Sequence, residues 1–367
     1  MRPKAPTIRD VARAAGVSPA TVSRYLNRNL SLPAATAARI DRACKLCDYR
    51  PNRLAKRLSL GSSELIGLAT PEIANPFFAA LAAAAEDEAR RLGYSLVITS
   101  TNGDPDVECA NIDCLDARHV DGLIVLTNRP DDGRICERIS GRDDVVLLDE
   151  DVPGADVARI FVENEQGGYQ ATRCLIEAGH KRIGHIGGPS ELFSAKERFR
   201  GFAAALRAAG LPVDPGLVRF GDYDRVSGLA AIRSLMSDAS APPTAIFAGS
   251  DYIATGVLQG LQQMGLDSPR DLSITSFDDM PFAELLHPPL TTVRQPIDRM
   301  GRLGVSALIA QIRGESQRRL TRLPTTLIVR GSVAMIPPRK TTRGAKGYWN
   351  RADRAATGPQ GANPIQT

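Results

Sequence analysis

Apolar positions along this chain change period partway through. Over residues 7–26 they fall at helical spacing: Ile8, Val11, Ala12 and Ala15, then Val22 and Leu26 with Tyr25 beside them. Thr7 and Asp10 have capping-box spacing, and Gly16 is placed to end the first helix in a left-handed turn. Ser18 followed by Pro19 opens a second helix, because proline's missing N–H costs nothing at the first helical position. The pattern predicts two short helices joined by a glycine turn, a helix-turn-helix whose second helix enters the DNA major groove. A third helix follows, with Ala37, Ile40, Cys44 and Cys47 on one stripe. From residue 64 short apolar runs take over: LIGLAT, YSLVITS, DGLIVL and VVLLD. Helical stretches lie between them, one ending near Arg91, one near 106–118 and one near 132–141. After a break near 155–165 the alternation resumes with RIGHIGG, TAIFAGS and SITSF. Repeated strand–helix units predict parallel sheets covered by helices. The strands are too many for one small sheet. The expected fold is an all-α helix-turn-helix headpiece joined to an α/β sensor of two doubly wound parallel-sheet lobes. A ligand would lie in the crevice between them, at the carboxyl ends of the strands.

Charge changes the picture by segment. Residues 1–61 hold 13 Lys and Arg against 3 Asp and Glu, and residues 337–367 hold 6 against 1; the stretch between has 27 against 37. A basic head on an acidic body suits a phosphate-binding module tied to one that does not bind nucleic acid. No run of about 18 apolar residues marks a membrane span. The start, MRPKAPTIRDVARAAG, has no apolar core of a secretory signal, so a cytoplasmic protein without membrane partners is expected. The six cysteines are scattered, and Cys44-x-x-Cys47 has no second Cys or His pair near it. His180 and His185 lack a third ligand. No P-loop, G-x-S-x-G or H-E-x-x-H motif occurs. Neither a metal, nor a cofactor, nor an enzyme activity is expected.

The run TIRDVARAAGVSPATVSRYLN, with YRPNRLAKRLS after it, resembles the headpiece and hinge of the LacI/GalR family of bacterial transcriptional regulators. The resemblance continues through Asn75-Pro-Phe-Phe78, Val120-Asp-Gly-Leu-Ile124, Gly179-His-Lys-Arg-Ile-Gly-His185, Arg198-x-x-Gly-Phe202, Phe277-Asp-Asp279 and Pro289-Leu-Thr-Thr-Val-Arg-Gln-Pro296. It covers about residues 6–336 and implies the type I periplasmic-binding-protein-like fold for the sensor. It divides the chain into a DNA-binding domain (1–50), a hinge (51–61), an effector-binding domain (62–336) and a basic tail (337–367) expected to be disordered. Lobe 1 is expected at about 62–160 and 292–322, and lobe 2 at about 161–291 and 323–336. The tail lacks the leucine heptads of a tetramerising coiled coil, so a homodimer on a near-palindromic double-stranded operator is expected.

By the same resemblance Pro19, Ala20 and Arg24 hold the base-reading positions. Pro19 and Ala20 have no polar side-chain group. Ala20 suits a thymine methyl, and Arg24 suits a bidentate guanine contact or, alternatively, a phosphate. Thr7, Thr21, Ser23, Asn27 and Tyr49 suit backbone positioning, and Asn52 in the hinge is grouped with them. Leu58 matches the family's minor-groove wedge; packing on the sensor is its alternative. Two departures stand out: Pro33 replaces a hydroxyl cap, and Cys47-Asp48 replaces Leu-Gly before Tyr49.

In the sensor, Asp149 ends VVLLD and Asp278 follows SITSF, so both carboxylates should face the cleft unless they merely cap helices. Arg198 lies at the family's ligand-contacting arginine. Glu72, Phe77, Ser194, Tyr223 and Ser250 complete the expected effector site. Carboxylates with an arginine can bracket hydroxyls, and aromatic rings can stack on a ring. That chemistry suits a sugar or related polyol, with a nucleobase or other small metabolite as the alternative. A repressor controlled by such an effector is the leading reading; a transport solute-binding protein and an enzyme are the competing classes.

Overall fold

The computed structural model describes residues 6–26, 30–49, 62–238, 242–315 and 319–336. The hinge, the tail, and the expectations placed on Asn27, Asn52 and Leu58 lie outside the described residues.

The headpiece forms helices α1 (Ile8–Ala15), α2 (Pro19–Leu26) and α3 (Ala34–Leu46). The Asp10 carboxylate accepts from the Thr7 backbone N–H at 2.9 Å and from its hydroxyl at 2.7 Å. Gly16 ends α1 at φ +64°, and Ser18 Oγ accepts the Thr21 N–H at 3.1 Å to start α2. The buried core is small: Val11, Ala12, Ala15, Val22, Ile40 and Ala43. Polar ties supplement it. Arg39 on α3 donates to the carbonyls of Ala15 at 3.0 Å and Gly16 at 3.1 Å, satisfying carbonyls left open at the end of α1. The Tyr25 hydroxyl donates to Asp41 at 3.1 Å, tying α2 to α3. α3 ends in a full Schellman turn: the Tyr49 N–H reaches the Cys44 carbonyl at 2.9 Å and the Asp48 N–H reaches that of Lys45 at 3.2 Å. Asp48 holds the left-handed position, at φ +46°, that glycine usually fills.

The sensor contains two six-stranded sheets. The first orders β11 (Leu320–Leu323), β5 (Ala158–Val162), β4 (Val145–Leu148), β3 (Leu123–Val125), β1 (Leu65–Thr70) and β2 (Ser95–Ser100), all parallel. The second orders β12 (Thr326–Ile328), β10 (Thr291–Arg294), β9 (Ser273–Asp278), β8 (Ala245–Ala248), β6 (Ile183–Gly187) and β7 (Val218–Phe220). Here the sequence expectation needs one correction: β12 pairs antiparallel with β10. It is a short edge strand reached directly from the other lobe, so it needs no crossover helix. β5 occupies the stretch that the apolar pattern left as a break.

Helices α4 (Pro76–Arg91), α5 (Pro105–Asp116), α6 (Arg134–Ile139) and α11 (Ile297–Ile312) flank the first sheet; α7 (Asn164–Glu177), α8 (Phe193–Ala208), α9 (Arg225–Asp238) and α10 (Asp251–Gln263) flank the second. Strand ends put the chain crossings at 163, 295–296 and 324–325, a few residues beyond the lobe bounds that the resemblance implies. Next to the last crossing, Arg322 of β11 makes a bidentate pair with the buried carboxylate of Glu197 on α8, both bonds at 2.9 Å. Where the chain enters lobe 1, Asp121 accepts from the backbone N–H groups of Ser63 at 2.6 Å and Glu64 at 2.9 Å.

Candidate functional site

Strand ends and helix starts of both lobes converge on a cavity of about 230 Å³. Lobe 1 contributes Glu72 and Phe77 beyond β1 and Asp149 and Glu150 beyond β4. Lobe 2 contributes Ser194 and Arg198 from the first turns of α8, Tyr223 beyond β7, Ser250 beyond β8 and Asp278 at the end of β9. All eight cleft residues singled out from the sequence line this one cavity.

Arg198 is its fixed point. Only 4 % of the residue is exposed. Its Nε donates to Asn164 Oδ1 at 2.9 Å and its Nη1 to the Gly249 carbonyl at 2.7 Å. The guanidinium lies 3.9 Å from the Phe277 ring centre and 3.7 Å from Asp278 Oδ1. A planar fork held on three sides has one orientation. The helix carrying it is seated by Gly168 of α7, where an added Cβ would sit 2.4 Å from the Arg198 carbonyl oxygen.

Asp278 is aimed by the turn around it. Asp278 and Asp279 adopt φ +112° and +59°, conformations that non-glycine residues rarely hold without support. Two ion pairs grip Asp279, from Arg294 at 2.6 Å and Arg330 at 2.7 Å. The buried Asp251 accepts from the Met280 N–H and the Thr292 hydroxyl, each at 2.7 Å. Gln295, at the crossing, donates to Asp278 Oδ1 at 2.8 Å. Burial raises the Asp278 carboxyl above the ordinary carboxylate range, with Arg198 opposing.

Across the cavity Asp149 stands at φ +72°, and its buried Oδ1 accepts no hydrogen bond. Burial pushes its carboxyl up to about 6, again against Arg198. Glu150, 2 % exposed, spans the lobes: its Oε1 accepts the Ser194 N–H at 3.0 Å in the first turn of α8. Burial pushes it up to about 7. Ser194 and Tyr223 share a hydroxyl hydrogen bond of 3.0 Å, and burial raises the Tyr223 phenol to about 12. Ser250 caps α10 through the Ile253 N–H at 3.1 Å, so its hydroxyl has a structural duty as well. The rest of the lining includes Asn75, Phe78, Gln295, Met280 and, at the mouth, Asp222 and Asp224.

The sequence reading passed over Glu150 and Gln295. Among the acids after VVLL and SITSF it took only the first at each strand end, although Asp149-Glu150-Asp151 is an acidic run, and Gln295 sits inside a motif already noted. Among the described residues no histidine, cysteine or lysine lines the cavity. His185 is enclosed instead by Phe199, Phe202, Phe220 and Phe247, and burial holds it down to about 4. Acceptors on both lobes, one immobile donor fork and aromatic walls can bind a small polar molecule; among the described residues no nucleophile paired with a base is assembled there.

On the headpiece, Pro19, Ala20 and Arg24 of α2 are exposed, while Thr21 and Ser23 are half-buried. Thr21 Oγ1 lies 2.8 Å from Ser18 Oγ, and Thr7 is engaged with Asp10. Tyr49 is half-buried against the headpiece core.

The family model for bacterial regulatory proteins of the lacI family matches residues 7–52, and that for a periplasmic binding protein-like domain matches 172–333. The chain is 36% identical to the ribose operon repressor of Escherichia coli (strain K12) over 330 residues, which are 89% of this chain and 99% of that protein. Among solved structures, the lac repressor dimer bound to operator and the anti-inducer ONPF is similar with a TM-score of 0.81 at 28% identity, over 90% of this chain and all of that one. A complex of the transcriptional regulator CelR with cellobiose matches with a TM-score of 0.68 at 33% identity, covering 89% of this chain and 99% of that one. With a helix-turn-helix head, a two-lobed sensor and relatives that align along nearly their whole length, this chain belongs to the LacI family of bacterial regulatory proteins and is a DNA-binding transcriptional regulator, not an enzyme.

Proposed function

We propose that the protein is a homodimeric repressor that binds a near-palindromic operator and is controlled by a sugar-like effector of monosaccharide size held between the lobes. The observation that carries the effector reading is the immobilised Arg198 facing Asp149 and Asp278 from opposite lobes, with Phe77 and Tyr223 in the walls. One donor fork and two acceptors can engage several hydroxyls of one ring. The volume of about 230 Å³ lies below the roughly 300–1,000 Å³ of drug-sized sites, which favours a single ring. Glu72, Ser194 and Ser250 are the remaining effector contacts in this reading. A ligand gripped by both lobes favours one lobe arrangement over the other, and that difference is its leverage over the operator.

At the operator, Pro19, Ala20 and Arg24 read bases, and Thr7, Thr21, Ser23, Asn27, Tyr49 and Asn52 position the backbone. Leu58 wedges the minor groove. For the dimer, edge strand β2 leaves Val97 and Ile98 more than two-fifths exposed, an apolar surface that a second copy would cover. The lac repressor solved on its operator is a dimer. The test pairs two measurements on the full chain. A panel of pentoses and hexoses is screened by thermal shift, where a binder raises the unfolding temperature by mass action. Any binder is then added to a gel shift on DNA selected from random sequence. Selection of asymmetric half-sites alone would refute the dimer, and a binder that leaves the gel shift unchanged would refute the control.

A further inference from the structure

The charge balance of the cleft is lopsided. Three inner carboxylates, Asp149, Glu150 and Asp278, surround it, and three more, Glu72, Asp222 and Asp224, stand at its mouth; among the described residues Arg198 is the one cation in its lining. That cation is already committed to Asn164, the Gly249 carbonyl and Asp278. Among the described residues no ion pair reaches Asp149 or Glu150; Arg198 acts on both only through space, and Asp149 Oδ1 is buried without any hydrogen bond. A buried carboxylate without a partner is costly, and it resists ionising until a counter-charge arrives.

A metal ion would answer that need only if ligands converged. Among the described residues no group of three or more His, Cys, Asp or Glu is placed to hold one. The acids are spread around a cavity with room for an organic ring, and the acidic mouth attracts cations while repelling anions.

We propose that the effector is an amine-bearing monosaccharide, its ammonium seated beside Asp149 and Glu150 and its hydroxyls divided between Arg198 and Asp278. This rests on the effector reading above and names the ligand class within it. The ammonium supplies the donor that Asp149 Oδ1 lacks. It also meets Glu150, the carboxylate that joins lobe 1 to the start of α8, so binding acts on the contact between the lobes. The groups facing this position are Asp149, Glu150, Arg198, Tyr223 and Asp278. Burial holds the Asp149 and Glu150 carboxyls above their ordinary range, so seating a cation there should expel protons.

The test uses matched probes on the full chain: glucosamine with glucose, galactosamine with galactose, mannosamine with mannose, and glucose 6-phosphate and gluconate as anionic controls. Calorimetry at pH 7 is run in two buffers of different ionisation enthalpy. The expected result is at least one amino sugar bound ten-fold or more tighter than its neutral parent, with net proton release and no binding of either anion. Glu150→Gln should shrink the preference to within about three-fold while the variant remains folded by circular dichroism. A neutral parent that binds as tightly as its amine, in a manner abolished by Asp278→Asn, would overturn the charge assignment and leave the effector reading standing. Binding of either anion would overturn the charge assignment alike. Failure of all amines and all neutral parents to bind would overturn the proposal and count against the sugar reading with it.

Discussion

Glu150→Gln offers a test of the cleft's electrostatics that needs no ligand. The carboxyl is 2 % exposed and accepts one backbone N–H, and burial lifts it from 4.5 to about 7. A folded-state value above the unfolded one means the protonated form is favoured by the fold. Its contribution is fully present below pH 4.5 and is lost as pH rises to about 7. At about 1.4 kcal/mol for each tenfold change in protonation, the ionised side chain costs about 3 kcal/mol at pH 8. Glutamine copies the protonated acid in shape and keeps a carbonyl for the Ser194 N–H. The variant should therefore unfold about 2–3 kcal/mol harder than the parent at pH 8 and nearly level with it at pH 4.5. The assay is urea unfolding followed by far-ultraviolet circular dichroism at both values, read as the difference between the two proteins so that other titrating groups cancel. A variant less stable than the parent at pH 8 would refute the reasoning, since the ionised carboxylate would then be stabilised by contacts that outweigh its burial.

Three further outcomes are expected. Arg24 is exposed, and no hydrogen bond or ion pair among the described residues engages it, so Arg24→Ala should leave the unfolding temperature unchanged yet weaken operator binding by about 1–3 kcal/mol per half-site; fluorescence anisotropy showing an equal loss on scrambled DNA would make it a phosphate contact. Asp48→Ala should destabilise the headpiece by about 1 kcal/mol, because alanine keeps the Cβ clash at φ +46° and gives up the polar interaction of the aspartate; amide hydrogen exchange at the end of α3 would report it, and slower exchange there would contradict it. His185 is held down to about 4 by burial, so its contribution of about 3 kcal/mol is present above pH 6.5 and falls away as pH drops towards 4; nuclear magnetic resonance of labelled histidine should show its ring still neutral at pH 5.5, and a protonated ring at that pH would refute its burial.

Much of the fold could be read from local signals. Thr7, Asp10, Gly16, Ser18 and Pro19 each mark a helix boundary by their own chemistry, and the headpiece follows them residue by residue. Strands such as Val145–Leu148 are apolar throughout because both faces are covered, which is the mark of a parallel sheet. The signal failed where tertiary pairing replaced local pattern. Ala158–Val162 carries an arginine and follows a glycine turn, so it reads as a break, yet it pairs between β4 and β11. Leu320–Leu323 and Thr326–Ile328 are short edge strands that exist because the chain returns to each sheet; nothing in four or three residues announces that. In the cleft, strand-end logic found Asp149 and Asp278 because a strand points its last residue into the crevice. It missed Glu150, whose role depends on the opposite lobe. Only with α8 brought across does the second residue of an acidic run become the one that bridges the lobes. The positions that sequence reasoning passed over are thus those made by contact between the halves. The contact between the halves is also what an effector must alter to act on the operator. Local chemistry names the groups that line the cavity, and the packing of lobe on lobe names those through which the proposed effector would act.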